Sequence, residues 1–328
     1  MKRPKVVVIG GGTGTFTVLS GLKLYPLDLS AIVTMADDGG STGVLRDELG
    51  VLPPGDVRQC LVALSKSPQF LRQLMNYRFV EGGLAGHSFG NLFLSALEKM
   101  TGSFDKAVEM AGEILQIEGR VIPSTLNRVE LVAELGNGTI VHGQNKIHHA
   151  PLSGNLRRIY LEPKAKANPK ALSAIKAADL ISIGPGDYYG SLIPNLLVTG
   201  IAEAIQGSKA IKAYTCNLMT KAEHTANFTV TDYAETMESY LGGKFDYVIY
   251  NTKRPSPLAL KRYAHEGERF VELGRELSGR KIIGADLVSK KMPKVAKGDP
   301  LAAQRTLIRH DANKLAKLIF GIVWQKAF

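Results

Sequence analysis

The chain has 328 residues, 45% hydrophobic and 22% charged, the length and balance of a globular protein with one large α/β domain or two modest ones. No apolar run approaches the ~20 residues of a membrane span, and Met1-Lys2-Arg3-Pro4 leads straight into a strand pattern, which argues against a cleaved leader. Of the net charge of +11, most sits in residues 251–328, with 17 Lys and Arg against 7 Asp and Glu; this basic segment is a solvated face or a field that steers an anionic ligand, and without a nucleic-acid-binding motif beside it nucleic acid is not expected.

Val6 to Ile9 is a β-branched run of the kind found in central parallel strands. Gly10, Gly11, Gly12, Thr13 and Gly14 follow, then a helical pattern through Phe16, Leu19 and Leu22. Strand, glycine-rich turn, helix is the setting of a phosphate-binding loop. The sub-type stays open: a dinucleotide fingerprint from Gly10 meets Thr15 at its third glycine, and a Walker A reading lacks its Gly-Lys-Ser/Thr. A second strand, Ala31 to Met35, delivers Asp37-Asp38-Gly39-Gly40-Ser41-Thr42-Gly43, expected to be a loop that runs up to a short helix over 44–49. Its glycines let backbone approach a ligand, its successive N–H groups make an anion nest, and its carboxylates suit a sugar hydroxyl or a metal ion. Asp37 stands 27 positions after Gly10, roughly where a ribose-binding acid of an NAD site falls. An NAD-dependent oxidoreductase is therefore one reading, though a proton-transfer pair is lacking.

Pro53-Pro54-Gly55-Asp56 reads as a turn. Asp56 either caps a helix over 57–65 or joins Asp37 or Asp38 around a divalent ion. The loop Gly86 to Asn91 opens the next helix; His87 contacts a ligand or satisfies loop backbone, and Asn91 caps or binds. After an amphipathic helix over 104–116 the texture changes. Alternation over 128–135, the hairpin signal Asn137-Gly138 and strands at 139–141 and 159–161 mark a β-rich insertion over about 120–162. His148 and His149 within it read as exposed loop rather than metal ligands. Cys60 and Cys216 lie in apolar runs without metal-ligand spacing, as reduced core thiols of a cytoplasmic protein would.

A helix over 169–177 and the strand Leu180 to Ile183 return to the earlier pattern. Gly184-Pro185-Gly186-Asp187-Tyr188-Tyr189-Gly190-Ser191 follows, then a helix near Ile193-Pro194. Strands ending at Asn217 and Asn251 offer amides to a base or sugar edge, or simply turn. A strand within 280–288, a basic loop and a closing helix over 311–324 complete the chain. The repeated order of strand, polar loop and helix predicts an α/β fold with a mostly parallel sheet. Ligands of such sheets bind beyond the carboxyl ends of the strands.

Several of these stretches form a combined signature. They are Gly10 to Gly14, Ala36 to Gly43 with Leu45-Arg46, Leu52 to Arg58, Gly86-His87 with Gly90-Asn91-Leu92, and Gly184-Pro185-Gly186. Ile193 to Leu197, which contains Asn195, Asn217 to Thr220, and Arg309-His310-Asp311 complete it. Nearly end to end, the chain resembles the gluconeogenesis-factor family (YvcK-type, CofD-like). The resemblance implies a single Rossmann-like three-layer α/β/α domain over 1–328. It implies a cytoplasmic protein that binds a UDP-sugar of the UDP-N-acetylglucosamine class without turning it over, and that acts in gluconeogenic growth and in control of cell shape and cell wall. Gly10 to Thr13 and Gly184, Pro185, Gly186 and Ser191 would cradle the diphosphate. Asp37, Asp38, Gly40, Ser41, His87, Asn91, Asn195, Asn217, Thr220 and Asn251 would supply the other contacts. Tyr263 and Arg309 would close over the ligand by stacking and by charge. No resident cofactor follows from the resemblance, and a protein partner and a homodimer are left open.

Distant relatives are the phospholactate transferases of deazaflavin-coenzyme synthesis, which use magnesium held by aspartates. On that alternative Asp38 and Asp56 would hold the ion. Thr34-Met35-Ala36 before the paired acids and Pro-Pro-Gly-Asp after them favour the gluconeogenesis-factor branch. Three segments depart from the family pattern. Asp187-Tyr188-Tyr189-Gly190-Ser191 replaces Ser-Leu-Tyr-Thr-Ser, so an added acid near the phosphates must bind a hydroxyl or a metal, or point away. Glu223-His224-Thr225 replaces Gly-Glu-Thr. The stretch before Arg309 is longer and more basic than in the family.

Overall fold

The computed structural model describes residues 3–290 and 308–327; the long basic stretch ahead of Arg309 lies outside the described residues. The strands are β1 (Lys5–Gly10), β2 (Asp28–Val33), β3 (Arg120–Pro123), β4 (Glu130–Leu135), β5 (Ile140–His142), β6 (Leu156–Glu162), β7 (Leu180–Ile183), β8 (Ile211–Thr215), β9 (Tyr247–Asn251) and β10 (Lys281–Ala285). Seven of them form one sheet in the order β10-β9-β8-β7-β1-β2-β3, and every pairing in it is parallel. The expected α/β class holds, and the order is that of a doubly wound fold. β4, β5 and β6 form a separate antiparallel sheet, and the hairpin turn falls at Asn137-Gly138, with Gly138 at positive φ.

The first helices are α1 (Gly12–Leu22), α2 (Gly40–Leu49), α3 (Gly55–Leu64), α4 (Gln69–Asn76), α5 (Phe89–Thr101), α6 (Phe104–Ile114) and α7 (Gln144–His148). After them come α8 (Pro169–Ala177), α9 (Ile193–Leu196), α10 (Ile201–Gly207), α11 (Ala222–Thr225), α12 (Val230–Leu241), α13 (Pro257–His265) and α14 (Ala312–Ala327). They cover both faces of the large sheet because its strands alternate two apolar faces. Val7, Ile9, Ile181 and Ile183 enter one core with Ile201, Ile205 and Tyr233. Val6, Val8, Ala31 and Val33 enter the other with Leu19, Val57, Leu61 and Leu315. The insertion shares the first core through Leu131, Ala133, Ile147 and Ile159, so it is not packed as an independent unit. No helix among the described residues is long and apolar enough to cross a membrane.

Three sequence expectations need correction. Arg120–Pro123 is not part of the insertion: it pairs in parallel with β2 as the sheet edge. The helix after the paired acids begins at Gly40, not Val44, because Gly43 N–H already donates to the Gly39 carbonyl at 3.3 Å. Asp56 does not cap its own helix. It sits inside the first turn of α3, and its carboxylate reaches across to Gly12 N–H instead.

One buried ion pair fixes the far edge of the sheet. Arg280 and Glu238 are each less than a tenth exposed. Arg280 Nε donates to Glu238 Oε1 at 3.0 Å, and Phe245 N–H donates to the same oxygen at 2.9 Å. Glu238→Ala leaves both donors unpaired, and urea denaturation should show a loss of about 2 kcal/mol.

Candidate functional site

Between β1 and β7 the chain winds away in opposite directions, so their carboxyl ends open a crevice. β1 delivers the glycine loop and α1, whose first N–H groups point into the crevice end with the positive pole of the helix. β7 delivers Gly184 to Gly186 from the neighbouring position. The two loops touch: a Cβ on Gly14 would lie 2.1 Å from the Pro185 carbonyl oxygen. Only glycine allows that approach, and it brings two backbone-lined anion sites to one place.

Acids gather beside these donors. A Cβ on Gly11 would lie 2.2 Å from Asp56 Oδ2, which puts the Asp56 carboxylate at the start of α1. Burial, and then the Asp37 charge, push the Asp56 carboxyl up to about 8. Half-buried Asp37 accepts from Gly39 N–H at 3.0 Å. Burial raises its carboxyl above the ordinary value despite that hydrogen bond and a second with Thr42. Asp187 behaves oppositely. Burial would raise it, but the hydrogen bond with His148 (Nδ1 to Oδ2, 3.0 Å) and the Lys221 charge outweigh this and hold it well below the carboxylate range.

A polar relay runs behind the loop after β2. Arg58 Nε donates to Asn91 Oδ1 at 2.9 Å, which fixes the amide; Asn91 Nδ2 then donates to Ser41 Oγ at 3.2 Å. Ser41 Oγ lies 3.0 Å from His87 Nδ1. Ser88, not Asn91, caps α5. Asn91 is therefore a brace for Ser41 and His87, which both stay half-buried.

A family model described as 2-phospho-L-lactate transferase CofD matches residues 6–291. The Gluconeogenesis factor of Halalkalibacterium halodurans is 40% identical over 97% of this chain and 96% of its own length. That of Listeria monocytogenes is 39% identical over 98% and 96% respectively. A crystal structure of a Bacillus halodurans protein superposes with a TM-score of 0.89 at 39% identity, covering 97% of this chain and 100% of that one. The chain belongs to the gluconeogenesis-factor family. Gly10–Gly14, Ala36–Gly43, Gly184–Gly186 and Asn217–Thr220 follow the carboxyl ends of β1, β2, β7 and β8.

Not every residue that the family resemblance brings forward faces the crevice. Asn195 is fully buried; its Nδ2 donates to the carbonyls of Gly10 (3.2 Å) and Ser191 (2.7 Å), so it ties β1 to the turn after β7. Asn217 exchanges hydrogen bonds with Gly186, donating to its carbonyl at 3.0 Å, and so holds the phosphate-side loop in shape. Thr220 is buried, with Oγ1 accepting from Arg269 N–H at 2.8 Å. Asn251 is buried too. Its Oδ1 accepts from Leu287 and Lys253 N–H, and its Nδ2 donates to the Lys253 carbonyl. Tyr263 is 5% exposed among Leu218 and Ile308, and its hydroxyl accepts from Ile308 N–H at 3.2 Å. The expected stacking platform is a packed core residue. Arg309 is half-buried beside the end of β8, where His310 bonds the Cys216 backbone.

The Asp38–Asp56 pairing is also corrected. Asp38 Oδ1 accepts from Asn145 N–H at 2.7 Å, at the start of α7, and the acid whose charge most affects Asp56 is Asp37. Among the described residues no cluster of three or more His, Cys, Asp or Glu has metal-binding geometry. The residues that sequence reasoning missed belong to α7 and its partners. His148 is not an exposed loop residue: it sits half-buried at the end of α7, against Asp187. Lys221 Nζ donates to the His148 carbonyl at 2.6 Å, and His224 Nε2 to the Ile147 carbonyl at 2.9 Å.

Proposed function

We propose that the crevice binds a nucleotide sugar of the uridine-diphosphate class, and that the chain is a cytoplasmic regulator of gluconeogenic growth and of cell shape and wall synthesis. The observation that carries this reading is the contact of Gly14 with Pro185. It puts the α1 N-terminus and the Gly184–Gly186 turn on one crevice, as two bound phosphates in a row require. Asp37 and the Ser41–His87 pair border the same crevice and suit hydroxyl groups. The name of its relatives, gluconeogenesis factor, supports the gluconeogenic part of this role. Isothermal calorimetry with UDP-N-acetylglucosamine is expected to show one site per chain; no heat of binding at millimolar ligand would overturn the reading.

A transferase reading has its own support in the description of the matching family model. Asp37, raised by burial and by the Asp38 charge, and Asp56, raised by burial and by the Asp37 charge, are carboxylates that would hold a divalent cation on this reading. Magnesium there would neutralise a diphosphate leaving group. On this reading Asp56→Asn abolishes magnesium-dependent product formation from a deazaflavin or other hydroxyl acceptor, and an unchanged rate removes the metal role.

A further inference from the structure

The insertion adds a wall that the large sheet lacks. α7 is pinned at both ends by loops from different strands. At its start Asn145 N–H donates to Asp38 Oδ1 at 2.7 Å, on the loop after β2. At its end His148 Nδ1 lies 3.0 Å from Asp187 Oδ2, on the loop after β7. Lys221 and His224, after β8, hold the carbonyls of His148 and Ile147. β1 lies between β2 and β7 in the sheet. Those two neighbours are two strand spacings apart, about 10 Å, a gap that a short helix and its flanking side chains cover. α7 therefore lies between the loops after β2 and β7, which flank the carboxyl end of β1. The added acid Asp187 neither points away nor needs a metal: it is one of the posts that hold α7.

The first two residues of α7 carry amides, and two glycines mark where they lie. A Cβ on Gly190 would be 2.5 Å from Gln144 Nε2, and one on Gly39 would be 3.9 Å from Asn145 Oδ1. Gln144 thus lies on the turn after β7 and Asn145 on the loop after β2, one on each side of the glycine loop. Neither side-chain amide has a hydrogen-bond partner among the described residues. An amide offers both donor and acceptor, as a sugar hydroxyl or an acetamido group does.

We propose that Gln144 and Asn145 read the sugar of the nucleotide sugar, with α7 as the specificity wall of the site and His148 as the residue that positions it. The proposal rests on the nucleotide-sugar reading above. Calorimetry of the full chain with UDP, UDP-glucose and UDP-N-acetylglucosamine tests it. Gln144→Ala and Asn145→Ala should each leave the Kd for UDP within about twofold and weaken a UDP-sugar about tenfold, the worth of one lost hydrogen bond. His148→Ala, which frees the end of α7, should lower the UDP-sugar to UDP ratio about threefold with a cooperative melt retained. Equal losses for UDP and the UDP-sugars, or an unchanged ratio, overturn the proposal while the nucleotide reading stands. Failure of the native chain to bind any of the three ligands sinks the nucleotide reading itself.

Discussion

Gly14→Ala should destabilise the protein by about 4 kcal/mol and abolish ligand binding in the crevice. Helix propensity alone argues the other way, since Ala in a helix interior gains about 1 kcal/mol over Gly. The collision decides the sign. The new methyl would lie 2.1 Å from the Pro185 oxygen, 2.6 Å from its carbonyl carbon and 2.9 Å from Gly186 Cα. These are backbone atoms, so no rotamer change relieves the clash, and α1 must separate from the loop after β7. Urea denaturation followed by circular dichroism reads the stability and calorimetry reads the binding. A neutral or stabilising alanine would mean that the two loops are not in contact.

Asp56→Asn should act in the opposite direction, and only above acidic pH. The folded-state carboxyl is pushed up to about 8, against an ordinary value near 4, by burial first and by Asp37 second. A group raised in this way contributes stability that is fully present below its unfolded value and is lost as pH rises through about 8. The native chain therefore weakens from pH 4 toward pH 8, because over that range the unfolded carboxyl ionises freely while the folded one must keep its proton. Asparagine keeps an oxygen to accept from Gly12 N–H and never charges. The variant should match the native protein near pH 4.5 and exceed it by about 3 kcal/mol at pH 9, roughly 6 °C in melting temperature. A difference that does not vary with pH would show that Asp56 titrates normally. Why retain so costly an acid? Its place at the α1 N-terminus, next to the glycine loop, ties it to the ligand on either functional reading.

Much of the fold was legible in the sequence because buried parallel strands leave a loud signal. Val6 to Ile9 and Leu180 to Ile183 are continuous apolar runs, each followed at once by glycine. The helix read over 169–177 is Pro169–Ala177, with Pro at its first position. Residues 40–43 misled because glycines have low helix propensity, and the tertiary setting of the loop overrode it. Asp56 misled for a related reason: capping is a local pattern, while its actual partner Gly12 lies far away in sequence and adjacent in space.

The site was legible where chemistry is written in backbone-permissive residues, and illegible where it depends on distant partners. Gly14 and Gly184 to Gly186 stand out in the sequence as glycine-rich turns that follow a strand and open a helix. The Asp187–His148 pair spans 39 positions, and nothing local to either residue announces the other. Asn251 and Tyr263 show the converse error. Polar or aromatic residues at the end of a strand or on a helix look available, yet hydrogen bonds to Leu287, Lys253 and Ile308 use them to stitch the C-terminal part onto the sheet.

A crystal structure of the full chain soaked with UDP-N-acetylglucosamine tests the central claim most directly. Two phosphates should appear between Gly11–Thr13 and Gly184–Gly186, with the sugar toward Gln144 and Asn145. A nucleotide seated on any other edge of the sheet, or a crevice that stays empty at millimolar ligand, would contradict it.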